Sequence, residues 1–347
     1  METHGDMDAG AVRATVDLIT AAWRTQAVYA AARLGLPDLI AAGHTDSAAL
    51  AAAAGGADGK DAPDAGVVRR LLRVLVLLGV VEGTEETGYR NTATGELLRD
   101  RPGSLRDVCL LYGEEFYQAW GHAAQTFRTG RPGFEAAYGQ SLIAYLRDDP
   151  KAAGRFQRAM QASNFFFDSV PQEIDFTGSS HIVDIAGGSG QLLSTVLRAA
   201  PQARGTLFDL EHTIPIAREH LAATVGTDRV DLVAGDMFTG RLPEGADTYL
   251  LSRVLGDWPD AECVQVLRNI RSSMAAGSRL LVVERVVRDD RDGLLAPLWD
   301  LHLLVLNGGT QRTLDTYHDL AARSGLHVAR LVELPMENTA LVLTPTA

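Results

Sequence analysis

The sequence predicts an α/β fold: a mostly parallel sheet flanked by helices in the C-terminal half, preceded by an all-helical, winged-helix-like domain. Three observations predict it. After about residue 175, short apolar runs alternate with helical patterns, the grammar of a parallel sheet. The first three of those runs end in glycine or aspartate, at the strand ends where such sheets bind ligands. Residues 44–94 carry a helix-turn-helix rhythm closed by a turn-rich stretch. At 347 residues the chain exceeds one ordinary core, and the pattern divides it into residues 1–170 and 171–347.

Residues 11–42 read as helices, with Val12, Val16, Ile19, Ala22 and Trp23 at helical spacing. Thr45-Asp46-Ser47 caps "AALAAAAG", and "AGVVRRLLRVLVLLGVV" follows as a longer amphipathic helix. Between the two, "GGADGKDAPDAG" reads as a flexible insertion, and "EGTEETGYRNT" as a short hairpin. Residues 105–170 are helical again, with Phe116, Tyr117, Trp120, Phe134 and Phe165 to Phe167 read as core. Then "HIVDIAG" precedes the helix "SGQLLSTVLRAAP", "RGTLFDL" precedes "TIPIAREHLAATVG", and "VDLVAGDMF" precedes a loop. "ADTYLLSRVL" leads to "DAECVQVLRNIRSSM" and "RLLVVERVV" to "LWDLHLLVLNGG", and "DTYHDLAARSG" precedes the final runs "LHVARLVELP" and "TALVLTPT".

A composition of 46% hydrophobic and 22% charged residues is that of a globular protein. Net charge is −12, so electrostatics oppose nucleic acid and anionic lipid as partners. The only basic cluster of the helix-turn-helix region is "VVRRLLRVL", so that region reads as a dimerisation or substrate-covering domain rather than a DNA reader. "METHGDMDAG" has no basic n-region or apolar core and is not expected to be a signal peptide. No apolar run approaches the roughly 20 residues a bilayer requires. Cys109 and Cys263 lie far apart without ligand spacing, which predicts a reducing, cytoplasmic setting and no metal.

The strand ends carry the chemistry. "VDIAGGSGQ" puts Gly187, Gly188 and Gly190 where a helix opens, so a ligand can approach the backbone and its free N–H groups. Alone, the pattern fits a structural turn equally well. Asp209, about 20 residues on, stands where a carboxylate accepts ribose hydroxyls. Asp236 in "VAGDMF" can accept from an adenine amino group while Met237 or Phe238 packs on the ring. In series, these strand ends describe an adenosyl site.

With those residues in hand, the chain resembles the class I S-adenosylmethionine-dependent methyltransferases. Within them it is similar to the plant caffeate/chalcone-type O-methyltransferases and their bacterial relatives acting on aromatic, anthracycline-type natural products. The resemblance spans "LGLPDLI", "RRLLRVL", "RTGRPGFEAAYG", "VDIAGGSG", "FDL", "GDMF", "GDWPD" and "GGTQRT". It implies a Rossmann-like methyltransferase sheet, a dimerising N-terminal domain, a homodimer and a small aromatic acceptor. It implies cofactor contacts from Gly187, Asp209, Leu210, Asp236, Met237, Ser252 and Trp258, and acceptor contacts from Trp120, Arg253 and Asn307.

One departure from the family pattern matters most. Where the family has Lys-x-Val-Leu-His-Asp-Trp, this chain has Ser252-Arg253-Val254-Leu255-Gly256-Asp257-Trp258. The resemblance makes the missing histidine the general base; Glu284 matches one glutamate that orients it, and Gln311 in "GGTQRT" replaces the other. Three readings stay open. Methyl transfer to oxygen proceeds by proximity and desolvation on a phenol or carboxylate that is already ionised. Alternatively another side chain is the base, with His302 the candidate, Glu284 and His302 both expected to assist, and Arg253 able to hold an anionic acceptor. Or the chemistry has moved to carbon methylation or to a non-methylating use of the cofactor. Asp257 is expected to cap the helix that follows it. A ligand-sensing DNA-binding regulator is the alternative from another class.

Overall fold

A computed structural model of the chain describes residues 8–56, 61–288 and 293–346. These fall into two units, one comprising the chain through Gln118 with Leu146–Ser163, the other Ala119–Tyr145 with the chain from Asn164 onward.

In the first unit, Asp46 caps the helix Ser47–Ala54, its Oδ1 accepting the Ala49 N–H at 2.8 Å, and Asp64 does the same for the helix Ala65–Leu77. Leu50, Ala51, Val68, Leu72 and Leu75 are buried with Leu36 and Ile40 in one core. Strands β1 (Val81–Glu82) and β2 (Arg90–Asn91) pair antiparallel and form the expected hairpin. Of the expected insertion, residues 57–60 lie outside the described residues. The first helix, Ala9–Ile19, buries none of its side chains: Val12, Val16, Leu18 and Ile19 are all exposed, as is Trp23 just beyond it.

The second unit holds strands β3 (His181–Ile185), β4 (Arg204–Asp209), β5 (Val230–Ala234), β6 (Thr248–Ser252), β7 (Arg279–Val287), β8 (Arg312–Thr313), β9 (Leu326–Leu334) and β10 (Asn338–Pro345). The sheet runs β5-β4-β3-β6-β7-β10-β9, with β8 beside β7. The strands from β5 to β7 are parallel, and β10 is antiparallel to both neighbours. Both faces are covered, so alternate residues of one strand join different cores. Tyr249 and Leu251 of β6 pack with Leu267 and Ile270, whereas Leu250 packs with Leu193 and Val196. The strand order reverses between β3 and β6, which opens a crevice at their carboxyl ends.

Residues 119–145 and 164–170 have the helical pattern of the N-terminal half, yet they pack with the sheet. Phe166, Phe167 and Val170 share a core with Leu192 and Leu193. Phe134 stacks on Tyr138 and meets Tyr145 edge-on. Tyr117 and Phe165, expected in the core, are exposed. Among the described residues no helix is long and apolar enough to cross a membrane.

Candidate active site

Three successive departures from ordinary backbone turn the chain from β3 into the helix Gln191–Ala199: Ala186, Gly188 and Gly190 have φ of 53°, 60° and 79°. At Gly187 a Cβ would lie 2.7 Å from the Asp184 carboxyl, so only glycine fits. Asp184 is buried beneath this turn, and burial, with the charge of Asp209 adding to it, pushes its carboxyl up to about 8. Asp209, at the end of β4, accepts the Gly188 N–H at 2.8 Å through Oδ2 and the Leu210 N–H at 2.7 Å through Oδ1. A carboxylate offers about four lone-pair positions, so it can hold the loop and still accept hydroxyl donors.

Beside it lies a cavity of about 190 Å³. Asp209, Leu210, Asp236, Met237 and Trp258 line it, together with Ala186, Phe208, Gly235 and Phe238. Trp258 meets Phe238 edge-to-face at 4.7 Å, and Asp236 braces the turn by accepting the Phe238 N–H at 2.8 Å. Flat apolar walls with a carboxylate at two strand ends fit an adenosine: aromatic faces for the base, acceptors for amino and hydroxyl donors. Gly187 and Ser252 stand outside the cavity lining. Ser252 ends β6, and its buried Oγ has no hydrogen-bond partner among the described residues. Among those residues no group of three or more His, Cys, Asp or Glu side chains is placed to hold a metal ion.

The segment after β6 is held from two sides. Glu284, 2% exposed on β7, accepts the N–H groups of Val254 and Leu255 through Oε1, each at 2.9 Å. Burial, with the charge of Asp257 adding to it, pushes this carboxyl up to about 7. Arg312 is also buried. Its Nη1 donates to Leu255 O at 2.7 Å, its Nη2 to Trp258 O at 2.6 Å, and its Nε to Asp260 at 2.8 Å. The guanidinium thus fixes the turn that carries Trp258 into the cavity wall. Gly256 is buried in that turn, its backbone oxygen accepting the Thr310 N–H at 2.9 Å. A Cβ on Gly256 would sit 3.4 Å from Leu303 Cδ1 and 3.5 Å from Gln311 Nε2, both ordinary contacts. Two of the positions that depart from the family pattern, Gly256 and Gln311, therefore face each other. Gln311 Oε1 is itself buried without a hydrogen-bond partner among the described residues.

Of the residues expected around the acceptor and as base, His302 and Asn307 lie on the helix Leu295–Asn307, and Trp120 reaches it through His302. His302 is buried, and its Nδ1 accepts the Trp120 indole N–H at 3.0 Å. An indole N–H only donates, so the neutral imidazole carries its proton on Nε2. Burial, with Arg285 adding to it, holds His302 at about 4, and Arg285 itself lies over the Trp299 ring at 4.0 Å. A base whose Nδ1 is occupied and whose proton affinity is that low is poorly matched to proton removal near neutral pH, so the expectation of His302 as base gives way to that of a hydrogen-bond donor. Asn307 Nδ2 donates to Asp257 at 3.1 Å. The helix Asp260–Ser273 has no side-chain cap, which corrects the expectation that Asp257 caps it. Glu284 likewise holds backbone rather than a second side chain. Arg253 Nη1 donates to Asn164 Oδ1 at 2.5 Å, and its charge also acts on the carboxyls of Asp257 and Glu284.

Sequence reading missed Arg312, Ala186, Phe208 and Gly235. For Arg312 the signal was the "GGTQRT" segment itself, singled out for its neighbour Gln311 alone. Ala186 gives no signal, because only the backbone shows its left-handed conformation.

A family model described as the O-methyltransferase domain matches residues 120–327, and one described as the O-methyltransferase dimerisation domain matches residues 16–101. The phenazine-1-carboxylate N-methyltransferase of Pseudomonas aeruginosa is 42% identical over 332 residues, 96% of this chain and 97% of that one. The 3-amino-4-hydroxybenzoate 4-O-methyltransferase of Streptomyces cremeus is 41% identical over 335 residues, 96% of this chain and 90% of that one. Among solved structures, an O-methyltransferase from neocarzinostatin biosynthesis, in complex with S-adenosylmethionine and 2-hydroxy-5-methyl naphthoic acid, superposes with a TM-score of 0.75 at 31% identity. It covers 92% of this chain and 95% of that one.

Proposed function

The chain belongs to the O-methyltransferase family and is an S-adenosylmethionine-dependent methyltransferase; from that premise we propose that it methylates a small aromatic natural-product intermediate on an oxygen already ionised when it arrives. When bound, S-adenosylmethionine supplies a sulfonium methyl group open to in-line displacement. Asp209 would accept the ribose hydroxyls and Asp236 the adenine amino group, while Leu210, Met237 and Trp258 would wall the ring and Ser252 and Gly187 would border the rest of the ligand. Trp120, His302 and Asn307 face the acceptor.

The observation that carries this reading is the Gly256–Gln311 pair. At the family's base position there is no titratable group, and its neighbour is neutral. Glu284 is engaged with two backbone N–H groups. Neither member of the pair can take a proton, which favours an acceptor with none to lose: an acidic phenol or a carboxylate fits. General-base help is worth about 10²–10⁴-fold, which positioning and desolvation can leave aside for such an acceptor. Ring-nitrogen methylation is the second reading. The same pair favours it, since a nitrogen lone pair needs no base, and a relative at 42% identity is an N-methyltransferase.

We place the enzyme as a homodimer. The exposed apolar residues Val16, Ile19 and Trp23 lie within the matched dimerisation domain and need cover. The unbonded thiols Cys109 and Cys263 suit a reducing cytoplasm.

The test is methyl transfer from S-adenosylmethionine to hydroxybenzoates, hydroxynaphthoates and phenazine carboxylates, by wild type and Gly256→His. The expected outcome is turnover that follows ionisation of the acceptor, with the histidine variant equal to or slower than wild type. A gain of about tenfold or more in the variant would mean that a base is simply missing, and the reading would fall.

A further inference from the structure

We propose that Arg253 holds the α-carboxylate of the cofactor's methionine portion, supplying at the end of β6 the positive charge that Ser252 does not. This rests on the methyltransferase reading and assigns Arg253 to the cofactor rather than the acceptor.

Position comes first. The parallel pairing of β3 with β6 ends at Ile185 opposite Leu251, so Ser252 and Arg253 leave the sheet beside Ala186 and the glycine turn. The adenosine cavity lies on the other side of β3, at the ends of β4 and β5. A ligand that seats its base there and extends its tail across β3 brings that tail to β6. Ser252 Oγ, buried without a hydrogen-bond partner among the described residues, waits at the same place.

Orientation comes second. Arg253 adopts φ 58°, a conformation that side chains other than glycine rarely take. Its backbone N–H donates to Val283 O at 2.9 Å. A glycine would sit there without strain, whereas this chain sets a guanidinium at that point. That guanidinium donates to Asn164 Oδ1 at 2.5 Å, and Asn164 Nδ2 in turn donates to Gln191 Oε1 at 3.2 Å. Gln191 is the first residue of the helix that Gly190 opens. The cation is therefore tied through Asn164 to the helix that the glycine turn opens.

Chemistry comes third. S-adenosylmethionine ends in an α-amino acid, and its carboxylate needs a cation where the crevice excludes water. A guanidinium offers a planar fork that matches a carboxylate, and Asn164 fixes the direction of the fork.

The experiment is calorimetric titration of the full chain with S-adenosylhomocysteine and with its analogue lacking the α-carboxylate, for wild type, R253Q and R253G. The glycine variant relieves the backbone and guards against a folding defect. Wild type should prefer the carboxylated ligand by about tenfold or more, the range of a charge-assisted hydrogen bond. Both variants should weaken S-adenosylhomocysteine about as much and bring the two ligands within about threefold, leaving the decarboxylated ligand at wild-type affinity. Unchanged S-adenosylhomocysteine affinity, with a raised acceptor KM, would overturn the assignment in favour of the acceptor. Equal loss for both ligands would overturn it in favour of a structural role. Failure of wild type to bind either would remove the methyltransferase reading itself.

Discussion

Substituting Glu284 by glutamine should flatten the dependence of stability on pH between about 4.5 and 7. In wild type burial, with the charge of Asp257 adding to it, outweighs the two backbone N–H bonds that favour the ionised carboxylate, and the group holds its proton to about 7 against an ordinary 4.5. The unfolded chain ionises at the ordinary value. Between the two, the folded protein carries one more proton than the unfolded one, so its stability is complete below 4.5 and drains away as pH rises to 7. A gap of about 2.5 pH units, at about 1.4 kcal/mol each, is worth about 3–4 kcal/mol. Glutamine imitates the protonated acid, and its amide oxygen can accept from Val254 and Leu255 as the carboxyl does. The variant should therefore lie within about 1 kcal/mol of wild type at pH 5 and gain on it by up to about 3–4 kcal/mol at pH 8. Asp184 titrates in the same direction in both proteins and cancels in the comparison. Urea unfolding at pH 5, 6, 7 and 8 and constant ionic strength reads the difference directly. Parallel profiles, or a variant that loses ground as pH rises, would refute the reasoning: the ionised carboxylate would then be the native form.

Two further outcomes follow from the site. Asp209→Ala removes the acceptor that serves both the glycine turn and the ribose, and should weaken S-adenosylhomocysteine by about 1.5–3 kcal/mol, roughly 10- to 150-fold, in calorimetric titration; unaltered binding would displace Asp209 from the site. Arg312→Ala removes the charged donor from Leu255 O and Trp258 O, leaving them the longer bonds from the Cys263 thiol and, for Leu255 O, the Trp258 N–H, and should cost on the order of 3 kcal/mol in urea unfolding, with a shift in Trp258 emission. Arg312→Lys should recover part of that loss, because an ammonium cannot reproduce the three-way fork.

The sheet was legible because a strand covered on both faces is written as an unbroken apolar run, as in "TYLLS". The cofactor side was legible because its groups sit at fixed places in that pattern: Asp209 ends β4 and Asp236 follows β5. What escaped was set by long-range packing. Residues 119–145 have no periodicity that distinguishes a helix packed on the sheet from one in the N-terminal unit. Phe165 and Phe166 are adjacent and equally apolar, yet one is exposed and the other buried. His302 looked like a base because its identity is all a sequence supplies, whereas Trp120, distant in the chain, decides which nitrogen carries the proton. Arg312 was hidden for the same reason, since its three acceptors lie more than fifty residues upstream.

The facing of Gly256 and Gln311 bears on the history open to this enzyme. A histidine restored at 256 would meet an amide that cannot stabilise an imidazolium, and a glutamate restored at 311 would be a buried charge facing a residue with no side chain. Each single step back is neutral at best, and only both together rebuild the proton-accepting pair. An enzyme with this pair widens its range more readily by taking acceptors that are nucleophilic on arrival than by single substitutions that would make them so.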